Sequence, residues 1–130
     1  MKSRKKADPA SALMEESWTL FNDGHELAAV ATARMLFESV LRSALDEAWR
    51  SSAKNSAAML LRKAYGSGRI SRRLQRDVDL ICGRLSEVIH GRQTTVPQME
   101  GLLTMAESEL RKLVAELRAS IREGSPCLVS

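Results

Sequence analysis

The stretch that decides the fold runs from Ser71 to Arg92 and has the sequence SRRLQRDVDLICGRLSEVIHGR. Ser71 is a favourable residue for starting a helix, and Gly91 is a common helix terminator. Between them, apolar residues recur at alternating steps of four and three, the spacing of one helix face: Leu74, Val78, Ile81, Leu85 and Val88. We therefore predict one amphipathic helix that starts after Ser71 and ends near His90.

Two helices are predicted before this stretch in the first half of the chain. One spans about Ser11 to Asn22 and is ended by Asp23-Gly24. The next is long, from about Gly24 to Arg50, with Asp23 and Glu26 as its capping box. Its apolar stripe is wide, because Leu27 and Met35 flank a core face that includes Phe37. We predict that this second helix is the central and most buried element.

Two more helices complete the pattern. A short one is predicted from about Lys54 to Tyr65, followed by a glycine-containing turn. A final long helix opens with Thr95 and Gln98 as a capping box and Pro97 in its first turn, and it ends near Gly124. Each has a helical apolar face, so the chain alternates helices with short turns.

Composition indicates the same architecture. The chain has 130 residues, of which 44% are apolar, 4% are aromatic and three are prolines, a balance that favours helices packed on helices. We predict an all-α, up-down bundle of four main helices plus one shorter helix. It would form a single domain at residues 11–123, between a disordered basic N-terminal tail at residues 1–10 and a C-terminal tail at residues 124–130.

The cysteines and the hydropathy pattern predict the cellular environment of the protein. Cys82 and Cys127 form neither a disulfide framework nor a metal-ligand spacing, so we expect a reduced compartment, no metal and no cofactor. A polar N-terminal segment and the lack of a long apolar run predict a soluble, cytoplasmic protein without membrane contact. The last four residues, Cys127 to Ser130, fit a prenylation box. The arginine- and alanine-rich composition is more typical of a bacterial protein, which favours coincidence.

Positive charge is concentrated in one segment. The net charge is +4, yet no acidic residue lies between Glu47 and Asp77, where eight lysines and arginines fall. Such a block attracts phosphates. The predicted nucleic-acid contacts are six residues of this block and one arginine outside it: Arg62, Lys63, Arg69, Arg72, Arg73, Arg76 and Arg92. A solvated basic face or an interface with an acidic partner explains the block equally well. An arginine-rich helix after a glycine-bearing turn also matches helix-turn-helix DNA binders.

His90, one of two histidines, is the first candidate for chemistry. It closes the predicted helix on a polar face with Asp79 and Ser86, and Arg84 lies six residues before it. A neutral imidazole beside an arginine can act as general acid or base on a phosphodiester. Six residues place Arg84 about 120° around the helix. The two converge only if the helix unwinds or a second subunit supplies one of them. The alternative is a histidine placed simply to complement the helix dipole.

Arg34 and Glu38 lie one turn apart within the most apolar helix. Buried charges usually occur in pairs, so the ordinary interpretation is an internal ion pair. A sharper hypothesis has Glu38 orienting the ring of His90.

These residues together resemble the HEPN superfamily, the nucleotide-binding helical domains shared by higher eukaryotes and prokaryotes. One part of the resemblance is an Ala-Arg-x-x-x-Glu core at residues 33–38 after a glycine-containing turn. The other is an Arg-x(4–6)-His pattern at residues 84–90, followed by Gly91 and a further helix. The resemblance covers the chain from Asp23 to about Arg122. Leu85 departs from it, because active members often carry Asn at this place.

The resemblance implies both a fold and a range of functions. Many members are metal-independent ribonucleases of toxin and defence systems and act as dimers whose Arg-His pairs meet at the interface. Other members are inactive RNA-binding or assembly domains. Carried onto this chain, His90 would be the acid/base and Arg84 would stabilise phosphate charge, with Ser86, Glu87 and Glu38 in support.

The leading hypothesis is therefore an RNA- or nucleotide-associated homodimer of a bacterial defence or toxin–antitoxin type system. In its catalytic form it would be a metal-independent endoribonuclease. The alternative, from a different class, is a non-catalytic module for homodimerisation or for binding a protein partner such as an antitoxin. A helix-turn-helix DNA binder is the third interpretation.

Overall fold

The computed structural model describes residues 9–45 and 56–122. These ranges contain five α-helices and no strand: α1 (Pro9–Asn22), α2 (Glu26–Ala44), α3 (Ala57–Gly66), α4 (Arg72–Ile89) and α5 (Val96–Arg122). The predicted all-α class is confirmed, with four longer helices and a shorter α3 of 10 residues. None of these helices is both long and apolar enough to cross a bilayer.

The predicted boundaries hold to within a few residues at most helix ends. Pro9 and Ala10, which we assigned to the N-terminal tail, already belong to α1. The second helix ends at Ala44 rather than Arg50, because Leu45 adopts an extended backbone conformation. The predicted segments at residues 1–8, 46–55 and 123–130 lie outside the described residues.

Helix α2 is the centre of the bundle, as predicted, because it packs against α1, α3, α4 and α5. Its core face includes Val30, Ala33 and Phe37, all fully buried. The expected widening of this stripe is wrong at Leu27, which is 53% exposed, and at Met35, which is 65% exposed, whereas Leu45, also expected in the wider stripe, is buried. At about 100° per residue, Leu27 lies about 90° and Met35 about 165° around the helix from the centre of the core face. Their positions in the helix therefore direct both side chains away from the core.

The capping box that we predicted for α2 does not form. The N-cap residue is His25, and its side chain makes no capping hydrogen bond. Gly24 adopts φ +88°, and the His25 amide donates to the Leu20 carbonyl at 2.9 Å. Asp23 and Gly24 therefore terminate α1, so the backbone at Asp23 is not available to start the next helix.

Helix α4 agrees with the pattern that predicted it. All five residues of its apolar seam are buried, and the Ser71 hydroxyl accepts from the Leu74 amide at 3.1 Å. At the other end, Gly91 adopts φ +104°, a conformation that residues with a side chain rarely take. The Arg92 amide then donates to the Glu87 carbonyl at 2.9 Å. This Schellman motif turns the chain from α4 toward α5.

Helix α5 begins at the predicted capping box. The Thr95 amide donates to Gln98 Oε1 at 2.9 Å, and the Gln98 amide donates to Thr95 Oγ1 at 3.2 Å. The two bonds satisfy amides that have no partner within the helix. Helix α5 thereby starts directly after the turn at Gly91 and packs along α4, α2 and α1.

Candidate functional site

His90 is the C-cap residue of α4 and is exposed. Its ring atom Nδ1 lies 2.8 Å from the backbone carbonyl oxygen of Ser86. Because a carbonyl only accepts, Nδ1 must carry the hydrogen, and in the neutral ring the lone pair is then on Nε2. The last turn of α4 therefore holds Nδ1 against the backbone, and the lone pair that a general base would use is on Nε2 of an exposed residue.

Arg84 lies on a different side of α4. It is exposed and makes no hydrogen bond or ion pair with any residue in the described ranges. It lines a groove of about 300 Å³ between α4 and α5, which we call the α4–α5 groove; the lining includes Arg84, Glu87, Arg92, Leu102 and Met105. Arg92 donates to Glu87 Oε1 at 2.7 Å. The groove thus brings together Arg84 and Glu87 among the predicted catalytic residues, whereas His90 does not line it.

Ser86 faces α2 instead. Arg34 Nε donates to Ser86 Oγ at 3.0 Å, and the same guanidinium forms an ion pair with Glu38 at 2.8 Å. Arg42 approaches the other Glu38 oxygen at 3.6 Å. The predicted internal Arg34–Glu38 pair is confirmed. The carboxylate of Glu38 is engaged by these two arginines, and no hydrogen bond joins it to His90 within the described residues.

These contacts place the Arg84 and His90 side chains on two sides of one helix. Ser86, whose carbonyl accepts from His90, has its hydroxyl on the α2 side, while Arg84 is on the α5 side. At about 100° per residue, the six-residue step from Arg84 to His90 puts their side chains about 120° apart around α4. Helix α4 stays helical through Ile89, so it does not unwind to bring the two groups together. A single chain consequently does not assemble the predicted Arg-His pair in one groove.

Cys82 is a buried thiol next to this polar cluster. Burial raises its pKa to about 12, with the charges of Asp79 and Glu38 adding to the increase and the Arg34 guanidinium opposing it. The reactive form of a cysteine is the thiolate. Cys82 is therefore a core residue and has no role as a nucleophile near neutral pH.

The fold divides the basic block into separate surfaces. Three of its arginines line one groove of about 400 Å³ between α3 and α4. We call it the α3–α4 groove, and it is lined by Arg62, Tyr65, Arg72, Gln75, Arg76 and Asp79. The Arg72 guanidinium carbon lies 6.0 Å from the centre of the Tyr65 ring. Arg62, Arg72 and Arg76 are thus three members of the predicted nucleic-acid set that share one groove.

Arg69, which we predicted as a nucleic-acid contact, makes hydrogen bonds within the bundle. It is half-buried, and its guanidinium donates to the backbone carbonyl of Ala44 and to Ser120 Oγ, the latter at 2.9 Å. The Ala44 carbonyl is one of those left without a partner where α2 ends. Arg69 thus joins the C-terminal end of α2 to α5, and its guanidinium is turned away from solvent.

The remaining members of the set are scattered. Arg73 lines a shallow depression with Asp77 and Glu116 on the α5 side of α4. Lys63 is half-buried on α3, and Arg92 is at the opposite end of α4, paired with Glu87. Within residues 56–122, the basic residues therefore form one cluster without ion pairs, in the α3–α4 groove, and several cations that lie apart from it.

The sequence did not lead us to group three of the lining residues, Tyr65, Gln75 and Asp79, with the arginines of the α3–α4 groove. Gln75 and Asp79 follow Arg72 and Arg76 at the spacing of one helix face, so that spacing could have identified them. Tyr65 gave no such indication, because its position beside Arg72 depends on how α3 packs against α4.

Across residues 9–45 and 56–122, no three His, Cys, Asp or Glu side chains lie together as a metal-ligand set would. Comparisons of the chain with models of protein families, with curated proteins and with solved structures find no match. The HEPN resemblance accordingly rests on the residues quoted for it.

Proposed function

We propose that this protein is an RNA-associated, HEPN-like helical domain that cleaves a phosphodiester with His90 as its proton-transfer group. The observation that carries the proposal is the 2.8 Å contact between His90 Nδ1 and the Ser86 carbonyl, on an exposed residue. It leaves the lone pair on Nε2. No other described histidine has a ring contact of this kind, since the side chain of His25 makes no capping hydrogen bond.

The chemistry that fits such a group is metal-independent transesterification of RNA. Nε2 accepts the proton of a ribose 2′-hydroxyl, and the 2′ oxygen bonds to the adjacent phosphorus. The bond from phosphorus to the 5′ oxygen breaks, and the proton held by the imidazolium is returned to that oxygen. The products are a 2′,3′-cyclic phosphate and a 5′-hydroxyl. A guanidinium beside the phosphate stabilises the negative charge that develops.

Within the proposal, that guanidinium is Arg84 of a second copy of the chain, because Arg84 and His90 of one chain are on different sides of α4. Large apolar side chains support self-association. Leu27 and Met35 on α2 are 53% and 65% exposed, and Leu80 on α4 is 57% exposed. Side chains of this kind are common at the buried centre of subunit interfaces.

The chain itself offers a matched pair of variants for the test, since His25 and His90 are its two histidines and both are exposed. We expect His90→Ala to abolish cleavage of a structured RNA and His25→Ala to retain it. Product ends should carry the cyclic phosphate. Cleavage that persists in His90→Ala removes this residue from the mechanism, and a wild-type protein without any cleavage rejects the nuclease.

Mixing experiments test the contribution of the second copy. The variants Arg84→Ala and His90→Ala should each be inactive alone. After subunit exchange, a mixed dimer has one intact Arg-His combination, so the equimolar mixture should regain about a quarter of wild-type activity. If the mixture stays inactive while exchange is demonstrated, Arg84 does not act across the dimer.

The second candidate function is a non-catalytic module that binds itself or a protein partner. The exposure of Met35 and Leu80 favours it directly, without any chemistry. Met35→Glu should lower the dimer fraction in sedimentation experiments, and Glu26→Gln, on the same helix, should not. A protein whose dimerisation depends on Met35 but that leaves RNA intact belongs to this second class.

A further inference from the structure

The α3–α4 groove is built by two short helical faces. Arg62 and Tyr65 are one turn apart near the end of α3. Arg72, Gln75 and Arg76 occupy positions i, i+3 and i+4 at the start of α4, so they point to the same side. The turn between the helices is short, and α3 packs directly on α4. The groove is therefore part of the rigid bundle and needs no rearrangement to form.

Its charge is uncompensated. Arg62, Arg72 and Arg76 have no hydrogen bond or ion pair with any residue of the described ranges, and Asp79 is the only acid that lines the groove. Guanidinium groups without a carboxylate partner are available to a phosphate, which they bind through two parallel hydrogen bonds. Because no carboxylate has to be displaced, the groove favours an anion with several oxygens.

The groove also has an aromatic surface. Tyr65 is 38% exposed, and the Arg72 guanidinium is 6.0 Å from its ring centre. Exposed aromatic rings and guanidinium planes are the surfaces on which unpaired nucleobases stack. Gln75 and Asp79 add an amide and a carboxylate to the same lining. An inorganic anion would use the arginines alone, whereas a ligand with a phosphate and a planar base would use both parts.

We infer that the α3–α4 groove is a nucleoside-phosphate site, with the phosphate held by Arg62 and Arg76 and the base stacked on Tyr65. Its volume of about 400 Å³ is within the usual range for small-molecule sites. Arg76 is about 20 Å from His90 along the helix axis, at 1.5 Å per residue. The site is thus separate from the proposed cleavage site, and it rests on the proposed function only where the nucleotide belongs to an RNA strand.

Two sources supply this chemistry: a nucleotide within an unpaired strand and a free nucleotide. The experiment measures both with the full-length chain at low salt. Fluorescence anisotropy follows a labelled single-stranded uridine octamer, and calorimetry follows AMP, adenosine and inorganic phosphate. We expect AMP to bind more tightly than adenosine or phosphate, because only AMP engages both the arginines and Tyr65.

Two sets of variants separate stacking from charge. Tyr65→Leu should weaken binding by about tenfold, the size of one lost base stack, while Tyr65→Phe should keep it. Arg62→Gln/Arg76→Gln should weaken binding and lower the salt slope for the octamer by about 0.7, because the two arginines hold one phosphate. Lys112→Gln/Arg118→Gln on α5 makes the same change of charge on exposed residues and should leave affinity within about twofold.

The outcomes distinguish this inference from the proposed function. Loss of AMP binding alone identifies a free nucleotide, and loss of octamer binding alone identifies a strand; both support the site. If neither ligand binds, or if the α5 control variant loses as much affinity as the groove variants, the inference is wrong. Equal binding of duplex DNA that is insensitive to Tyr65→Leu also overturns it. The proposed function fails separately if AMP or RNA binds at the groove but His90-dependent cleavage is absent.

Discussion

Arginines lie near both ends of α4, and the contacts of Arg92 at one end differ from those of the arginines at the other. At the N-terminal end, Arg62, Arg72 and Arg76 share the α3–α4 groove without an ion pair. At the C-terminal end, Arg92 is paired with Glu87 at 2.7 Å beside Arg84. A phosphate approaching a paired arginine must compete with its carboxylate, so paired cations contribute less to binding. Under the two proposals above, phosphate affinity lies at one end of the helix and proton transfer at the other.

Reversing charge at each end tests this assignment most strongly. Arg62→Glu/Arg76→Glu should reduce affinity for single-stranded RNA by about 100-fold or more at low salt, because two attractive contacts become repulsive. Arg84→Glu/Arg92→Glu changes the net charge equally, and we expect a loss several times smaller. Fluorescence anisotropy over a salt series measures both. Equal losses would mean that overall charge, and no particular groove, attracts the RNA.

A second contrast concerns arginines close in sequence at the N-terminal end. Arg69→Ala should lower the free energy of unfolding by about 2 to 3 kcal/mol, because the Ala44 carbonyl and the Ser120 hydroxyl lose a charged donor. Arg73→Ala should change stability by less than about 0.5 kcal/mol, as expected for an exposed side chain. Urea denaturation compares them. A stability loss for Arg73→Ala as large as that for Arg69→Ala would contradict the distinction between the two.

Gly83 within α4 and Gly91 just after it differ in backbone conformation. Gly91→Ala should destabilise the fold by about 1 to 2 kcal/mol, because φ is +104° there. Gly83→Ala, within α4 and with open space around the added Cβ, should stabilise the fold by up to about 1 kcal/mol. Thermal unfolding measures both effects. Because Gly91 positions the turn after His90, only Gly91→Ala should also reduce RNA cleavage.

Cys82 lies between the two ends, and its effect on stability is confined to alkaline pH. Its pKa is raised from 9.0 to about 12 in the folded protein, so above pH 9 the thiol ionises in the unfolded chain and stays protonated in the native one. The native state then binds more protons, and stability falls as pH rises, by up to about 1.4 kcal/mol per pH unit between pH 9 and 12. Urea denaturation of wild type and Cys82→Ala in reductant should diverge over this range. Parallel curves would show that the buried thiol does not control this dependence.

Sequence patterns predicted local features well. The α4 seam, the Ser71 cap, the Gly91 turn and the Thr95–Gln98 capping box all depend on residues within one or two turns of each other, and all are present. The Arg34–Glu38 pair belongs to the same group. The Asp23–Glu26 capping box failed, because the end of α1 uses the same few residues.

The amino-acid sequence by itself determined where helices start and stop and which face of most of them is apolar, since propensity, capping and periodicity act over a few residues. The packing of the helices set which side chains of distant segments meet. It turned Arg69 toward Ala44, across 25 residues of chain, and put Tyr65 beside Arg72. Such pairings depend on how helices pack, and helix packing depends on the summed burial of many side chains rather than on any local pattern.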